Sequence, residues 1–148
     1  MRALVQRVKS ASVSVDKKVV GAIDRGFLIL LGVGSEDGEE DAEKLWRKIE
    51  GLRIFPDSEG KINLSLNQVN GNVLVVSQFT LWANCRRGKR PSFIEAAAPD
   101  KGEALYEYFL ALVRAEFPDA ASGQFGASME VSLINEGPFT IWLDTDEL

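Results

Sequence analysis

The chain has 148 residues, 45% of them hydrophobic and 26% charged, a size and balance that fit one globular domain with a proper core. It contains no histidine, which excludes a Ser-His-Asp triad, a Cys-His pair and any histidine-bound metal, and its one cysteine, Cys85, has no partner for an internal disulfide. Net charge is −5, so long duplex DNA is not an expected partner, and with no apolar run of 18 residues and no signal-peptide pattern the expectation is a cytoplasmic protein without a membrane span.

Leu4 to Val15 alternates apolar and polar residues and predicts a strand; Asp16-Lys17-Lys18 reads as a tight turn and Val19 to Ile23 as the returning strand. Phe27 to Val33 is apolar on both faces, as a central strand would be, so an antiparallel meander of three strands is expected. A loop at Gly34 to Gly38 precedes helical spacing from Glu39 to Leu52, with Ala42, Leu45, Trp46, Ile49 and Leu52 on one face and acidic residues in the first turn. Arg53 to Asn70 is turn-rich, Asn72 to Trp82 predicts a strand, and Arg86 to Pro99 is irregular. Asp100 to Phe117 predicts a second helix, with Leu105, Tyr108, Phe109, Leu112 and Val113 inward and Pro118 as its stop. Ser128 to Leu143 predicts a hairpin around Gly137-Pro138. The order β-β-β-α-β-α-β-β implies one α+β domain spanning residues 1–148, a mostly antiparallel sheet with two packed helices.

Four segments carry candidate chemistry. Ser77-Gln78-Phe79-Thr80 places hydroxyls, an amide, a ring and backbone N–H groups at the end of an apolar strand; Ser or Thr as nucleophile would need a base that this chain does not obviously offer, and Thr80 also suits plain sheet surface. Arg86-Arg87-Gly88-Lys89-Arg90 puts four cations in five residues of an acidic chain, which suits a few phosphates near one point, or simply a solvated loop. In Gly123 to Met129 two glycines and small residues allow close approach, with Phe125 and Met129 either lining a pocket or filling core. A proline at position 138 cannot donate to a strand ladder, so the chain there turns, bulges or runs along an edge, and its carbonyls can gauge a ligand's shape or belong to an ordinary hairpin turn.

Taken together, Ser77-Gln78-Phe79-Thr80-Leu81, Gly88-Lys89-Arg90-Pro91-Ser92-Phe93, Phe125-Gly126-Ala127-Ser128-Met129 and Asn135-Glu136-Gly137-Pro138-Phe139-Thr140 resemble the D-aminoacyl-tRNA deacylase family, as does the opening Met1 to Val8. The likeness covers essentially the whole chain. It implies the family's fold, barrel-like in a homodimer, and hydrolysis of the ester linking a D-amino acid, or mischarged glycine, to the tRNA acceptor end. It implies active sites at the subunit interface, where Gly137 and Pro138, joined by a cis bond, exclude L side chains and Phe125 and Met129 help bind substrate. Ser77, Gln78, Phe79 and Thr80 would form the opposing catalytic wall, with the Phe79 N–H on the ester carbonyl and Thr80 either nucleophile or positioning group. Arg86, Arg87, Lys89 and Arg90 would meet tRNA, and no cofactor or metal is implied. The family often has Asp-Gly-Pro-Val where this chain has Glu136-Gly137-Pro138-Phe139, and Ala83 to Arg87 is less typical. A non-catalytic RNA-binding module would also explain the basic run and the absent histidine, but not the two polar turn motifs at this spacing. A metal-dependent hydrolase would need a carboxylate cluster that is not apparent.

Overall fold

The computed structural model describes residues 1–148. The chain opens with β1 (Arg2–Val15) and returns through β2 (Lys18–Ile23) and β3 (Gly26–Gly32). The expected tight turn is present, with left-handed backbone at Asp16 and Lys17. The three strands are not a meander, however. β2 and β3 lie along one edge of β1 in a single register: Ala11 faces Ile23, Val8 faces Gly26 and Arg2 faces Gly32. They are two arms of one return strand, interrupted at Asp24-Arg25. At 14 residues β1 is long enough to pair with the 6-residue and 7-residue arms in succession, which a meander of matched strands would not allow.

Next come α1 (Glu39–Glu50), a small antiparallel ribbon of β4 (Phe55–Pro56) and β5 (Ile62–Leu64), β6 (Asn72–Ser77), α2 (Pro99–Glu116), β7 (Ala121–Ser122) and β8 (Glu130–Asp144). The main sheet runs β2-β1-β3-β6-β7, with β8 on the other edge of β1. β3 pairs parallel with β6, and β6 with β7, so the sheet is mixed; the helices serve as the crossovers that parallel pairing requires. The sheet curls until Gly21 of β2 lies against the Ser122 carbonyl of β7, nearly closing it.

β3 is central, as its two apolar faces require. Phe27, Ile29 and Leu31 point with Val73 and Val75 into the layer shared with the helices, and Leu28, Leu74 and Val76 point into the curl of the sheet with Val8 and Val13. Trp46 of α1 joins the helical layer edge-on to Phe109 and Phe117, with ring centroids 5.9 and 6.0 Å away. Complete burial of Leu45, Ile49 and Phe109 is worth about 1.5–3 kcal/mol each. The buried face of α2 differs from the expected one: Gly102, Leu105, Tyr106, Phe109, Leu110 and Val113 are inside, while Tyr108 and Leu112 are only half-buried. A wide helical stripe accepts either rotation by pattern alone; Tyr106 goes inward because its hydroxyl finds the Val75 carbonyl, 3.0 Å away.

The C-terminal segment is also not a hairpin. β8 is one long strand antiparallel to β1, with Gln6 facing Thr140 and Val8 facing Asn135. The residues between Asn135 and Thr140 bulge out of the ladder, which is how the strand accommodates a proline.

Candidate active site

Parallel pairing places Ser77, the last residue of β6, opposite Leu31. The Gln78 N–H donates the final rung to the Leu31 carbonyl at 2.7 Å, and the chain then leaves the extended region. Phe79–Trp82 form one 3-10 turn, closed by the Leu81 N–H on the Gln78 carbonyl (3.2 Å) and the Ala83 N–H on the Thr80 carbonyl (3.0 Å). The strand expected to reach Trp82 therefore stops five residues early. Burial of the Trp82 indole explains why: it packs on Gly32 and Gly34, with the Arg2 guanidinium 3.8 Å from its ring centre, and only a turn brings it back there. One consequence is chemical. The Phe79 and Thr80 N–H groups open the turn and have no partner within it. The Thr80 hydroxyl accepts from the Gln78 amide at 2.5 Å.

Beside this turn lies a largely apolar cavity of about 570 Å³. Ser77, Gln78, Phe79, Phe93, Phe125 and Met129 all line it, so three separate sequence segments converge here. Phe79 and Phe93 meet edge-to-face at the mouth, 5.0 Å between ring centroids, and both stay exposed. Thr80 sits next to the cavity without lining it. Sequence reading missed Tyr106, which packs against Phe125 (5.8 Å) and is the only titratable lining residue. Its place one helical turn from Gly102, Phe109 and Leu110 was the available signal.

Burial pushes the Tyr106 phenol up to about 12, with the nearby Glu107 carboxylate adding to the shift. The unfolded phenol ionises near 10, so the stabilisation is intact below pH 10 and is lost as pH rises from 10 to 12. That loss amounts to about 2–3 kcal/mol. Tyr106→Phe is expected to cost about 1 kcal/mol at neutral pH through the lost bond to Val75, but to flatten the fall in melting temperature above pH 10. Thermal unfolding of both proteins from pH 7 to 12 checks this, and parallel curves would refute it.

The basic run lies next to Phe93 in a pinned loop. Asn84 and Ser92 exchange two backbone hydrogen bonds (2.8 and 3.0 Å), the Asn84 side chain accepts from the Arg86 N–H, and Gly88 supplies a positive φ of 69° at the tip. Arg86, Arg87, Lys89 and Arg90 are all exposed and none forms an ion pair.

Gly137 and Pro138 do not line this cavity. They stand by the Gly26 end of β3, whereas Ser77 stands by the Leu31 end, five residues and roughly 17 Å away along the strand. The bond between them is cis, and both residues are exposed. Their loop is gripped at its base. Asn135 Oδ1 accepts from the Phe139 N–H (2.7 Å) and Asn135 Nδ2 donates to the Phe139 carbonyl (3.0 Å). Buried Arg7 donates from Nε to the Glu136 carbonyl (2.8 Å), holds the Ile54 carbonyl with its other arm, and lies 4.7 Å from the Phe139 ring centre. No group of acidic or cysteine side chains is arranged to hold a metal ion, and no helix is long and apolar enough to cross a membrane.

Comparison with known proteins gives the family. A family model described as D-Tyr-tRNA(Tyr) deacylase matches residues 4–144. A D-aminoacyl-tRNA deacylase of Thermotoga petrophila is 59% identical over 148 residues, covering 100% of this chain and 99% of the relative. Another from Klebsiella pneumoniae strain 342 is 54% identical, covering 97% and 99%. Among solved structures, the c-Myc DNA Unwinding Element Binding Protein superposes with a TM-score of 0.92 at 39% identity, covering 97% of this chain and 98% of that one. A probable eukaryotic D-amino acid tRNA deacylase has the same fold, with a TM-score of 0.82 at 22% identity over 96% and 97%. With a family model spanning nearly the whole chain and relatives above half identity from end to end, the chain belongs to the D-Tyr-tRNA(Tyr) deacylase family, hydrolases that act on aminoacyl-tRNA esters.

Proposed function

We propose that the protein hydrolyses the ester of D-aminoacyl-tRNA, and of glycine mischarged on tRNA, while rejecting L-aminoacyl esters by exclusion. The observation that carries the reading is the turn after Ser77: two N–H groups with no partner inside the turn, at the edge of a cavity whose only titratable side chain is a phenol held near 12. Such a site has no general base tuned to neutral pH. It can still stabilise an oxyanion, which suffices for an already activated ester.

In this reading water attacks the ester carbonyl carbon, and the developing oxyanion rests on the Phe79 N–H. The bond to the ribose 3′-oxygen then breaks, and the 3′-oxygen takes up the proton that water lost. The neighbouring 2′-hydroxyl of the substrate relays that proton, the role that histidine plays elsewhere. Ser77, Gln78 and Thr80 shape the wall around the carbonyl, and Phe125 and Met129 bound the apolar part of the cavity.

Two chains work together here. The separation of Gly137-Pro138 from the cavity of its own subunit supports a homodimer in which each subunit lends this loop to its partner's site. Its carbonyls then stand where an L side chain would project, so selection works by rejection and tolerates many D side chains. The exposed, unpaired cations of the pinned loop meet phosphates near the acceptor end. Four cations at one point suit a strand end better than a long duplex, so long duplex DNA is not the partner. The reaction needs no cofactor or metal, and a tRNA substrate places it in the cytoplasm.

Incubating the protein with D-tyrosyl-tRNA and L-tyrosyl-tRNA in EDTA tests the reading directly. Fast loss of the D-ester alone is expected. Equal loss of both would remove the chiral wall, and tRNA binding without turnover would replace the enzyme with a binding module. Substituting Arg86, Arg87 and Lys89 together with Gln should weaken tRNA binding and reduce the slope of log K against log salt by about 0.7–0.9 per lost phosphate contact. An unchanged slope would take the loop out of the interface.

A further inference from the structure

Glu136 is held twice, by different arginines. Arg7 takes its backbone carbonyl, as described above; Arg25 takes its side chain through two parallel bonds, Nε to Oε2 at 3.1 Å and Nη2 to Oε1 at 3.0 Å. Arg25 occupies the break between β2 and β3, where its backbone is free of the β1 ladder. It is nevertheless fixed. Its carbonyl accepts the Asn72 N–H at 3.0 Å, and its guanidinium lies 5.0 Å from the Phe55 ring centre. A planar fork on a carboxylate defines orientation as well as distance, which a single bond does not. Glu136 immediately precedes Gly137.

We propose that the Arg25–Glu136 fork is a brace that sets the discrimination between D and L esters by fixing the outward position of Gly137-Pro138. This rests on the reading of that loop as the chiral wall. Arg25 is a positioning residue: it touches neither the cavity nor the Ser77–Thr80 turn. A wall that gives way admits the wrong hand without obstructing the right one. Loss of the brace therefore raises L-ester hydrolysis and leaves D-ester hydrolysis near its original rate.

The pair is partly open to solvent, with the Arg25 side chain 40% exposed. An effect of about fivefold on the D/L ratio is accordingly expected for Arg25→Ala. Salt should act in the same direction, since at 1 M the screening length falls to about 3 Å. Because both substrates carry the same tRNA, the effect of salt on tRNA binding cancels in the ratio.

The test measures kcat and KM for D-tyrosyl-tRNA and L-tyrosyl-tRNA with the wild type, Arg25→Ala, Arg25→Lys and Glu136→Gln, at low salt and at 1 M KCl. The proposal expects Arg25→Ala and Glu136→Gln to lower the D/L ratio of kcat/KM through the L-ester, Arg25→Lys to recover part of it, and high salt to lower the wild-type ratio but not that of Arg25→Ala. Glu136→Gln keeps the side-chain volume and serves if Arg25→Ala does not fold. An unchanged ratio in the variants of a discriminating wild type overturns the brace alone. So does an equal fall in both esters with a lowered melting temperature, which would make the pair mere structural support. A wild type that does not discriminate takes down the chiral wall and the brace together.

Discussion

Gly137→Ala is expected to lower the preference for D over L esters, or activity on both, on the order of 100-fold, because misplacing a wall by about an ångström at a reacting centre has that scale of effect. A methyl group at position 137 would stand 2.5 Å from the Phe139 nitrogen and 3.0 Å from the Phe139 Cβ. Neither neighbour can yield cheaply. The Phe139 N–H is bonded to Asn135 at 2.7 Å, and its ring lies beneath the Arg7 guanidinium. The loop must therefore shift as a whole and carry its carbonyls with it. Hydrolysis of matched D- and L-tyrosyl-tRNA, with circular dichroism to confirm folding, decides the matter. A folded variant with both its selectivity and its activity unchanged would end the role assigned to this loop.

The second large effect is expected at Phe79, where backbone and side chain can be tested separately. Phe79→Pro removes the N–H assigned to the oxyanion, and loss of one such donor costs about 10²–10³ in kcat. Proline is tolerated at the first residue of a helical turn, and Gln78 before it lies outside the α region that a following proline disfavours. Phe79→Ala keeps the N–H and loses only the ring that packs on Phe93, so it should retain activity within about tenfold. Thr80→Ala removes a hydroxyl that accepts from the Gln78 amide, and substantial activity should survive. Single-turnover deacylation of D-tyrosyl-tRNA separates the alternatives. If Thr80→Ala were inactive and Phe79→Pro near wild type, Thr80 would be the nucleophile and the oxyanion assignment would fall.

Much of the fold was legible because hydrophobic period is a strong signal over long segments. The Glu39 helix, the inward Ala42, Leu45, Trp46 and Ile49, and the two-faced central strand at Phe27 all follow from it. Pairing was less legible, because period two reveals which face a residue occupies and not which strand lies beside it. For that reason the return strand has the pattern of two members of a meander, and β8 that of a hairpin. The end of β6 escaped for another reason: the burial of Trp82 is a tertiary demand, and nothing in the local propensity of Phe79 to Trp82 announces a turn. The convergence of Ser77, Phe93, Phe125 and Met129 on one cavity needed the fold, although each motif had stood out separately. Neither Arg7 nor Arg25 has a role that the sequence suggests, since a side chain that reaches across 111 or 129 positions leaves no local trace.

The shared register of the two arms that pair with β1 also limits how this chain can change length. Strand faces alternate with a period of two, so one residue inserted at Asp24-Arg25 must either loop out and displace the anchor for Glu136 or invert every side chain of one arm. The turn at Asp57 to Gly60, exposed from Ser58 on and closed by the Asp57 N–H on the Lys61 carbonyl and the Lys61 N–H on the Asp57 carboxylate, carries no such restriction. Natural insertions and engineered tags should therefore collect at Asp57 to Gly60, while the two-residue gap keeps its length wherever the arginine is kept.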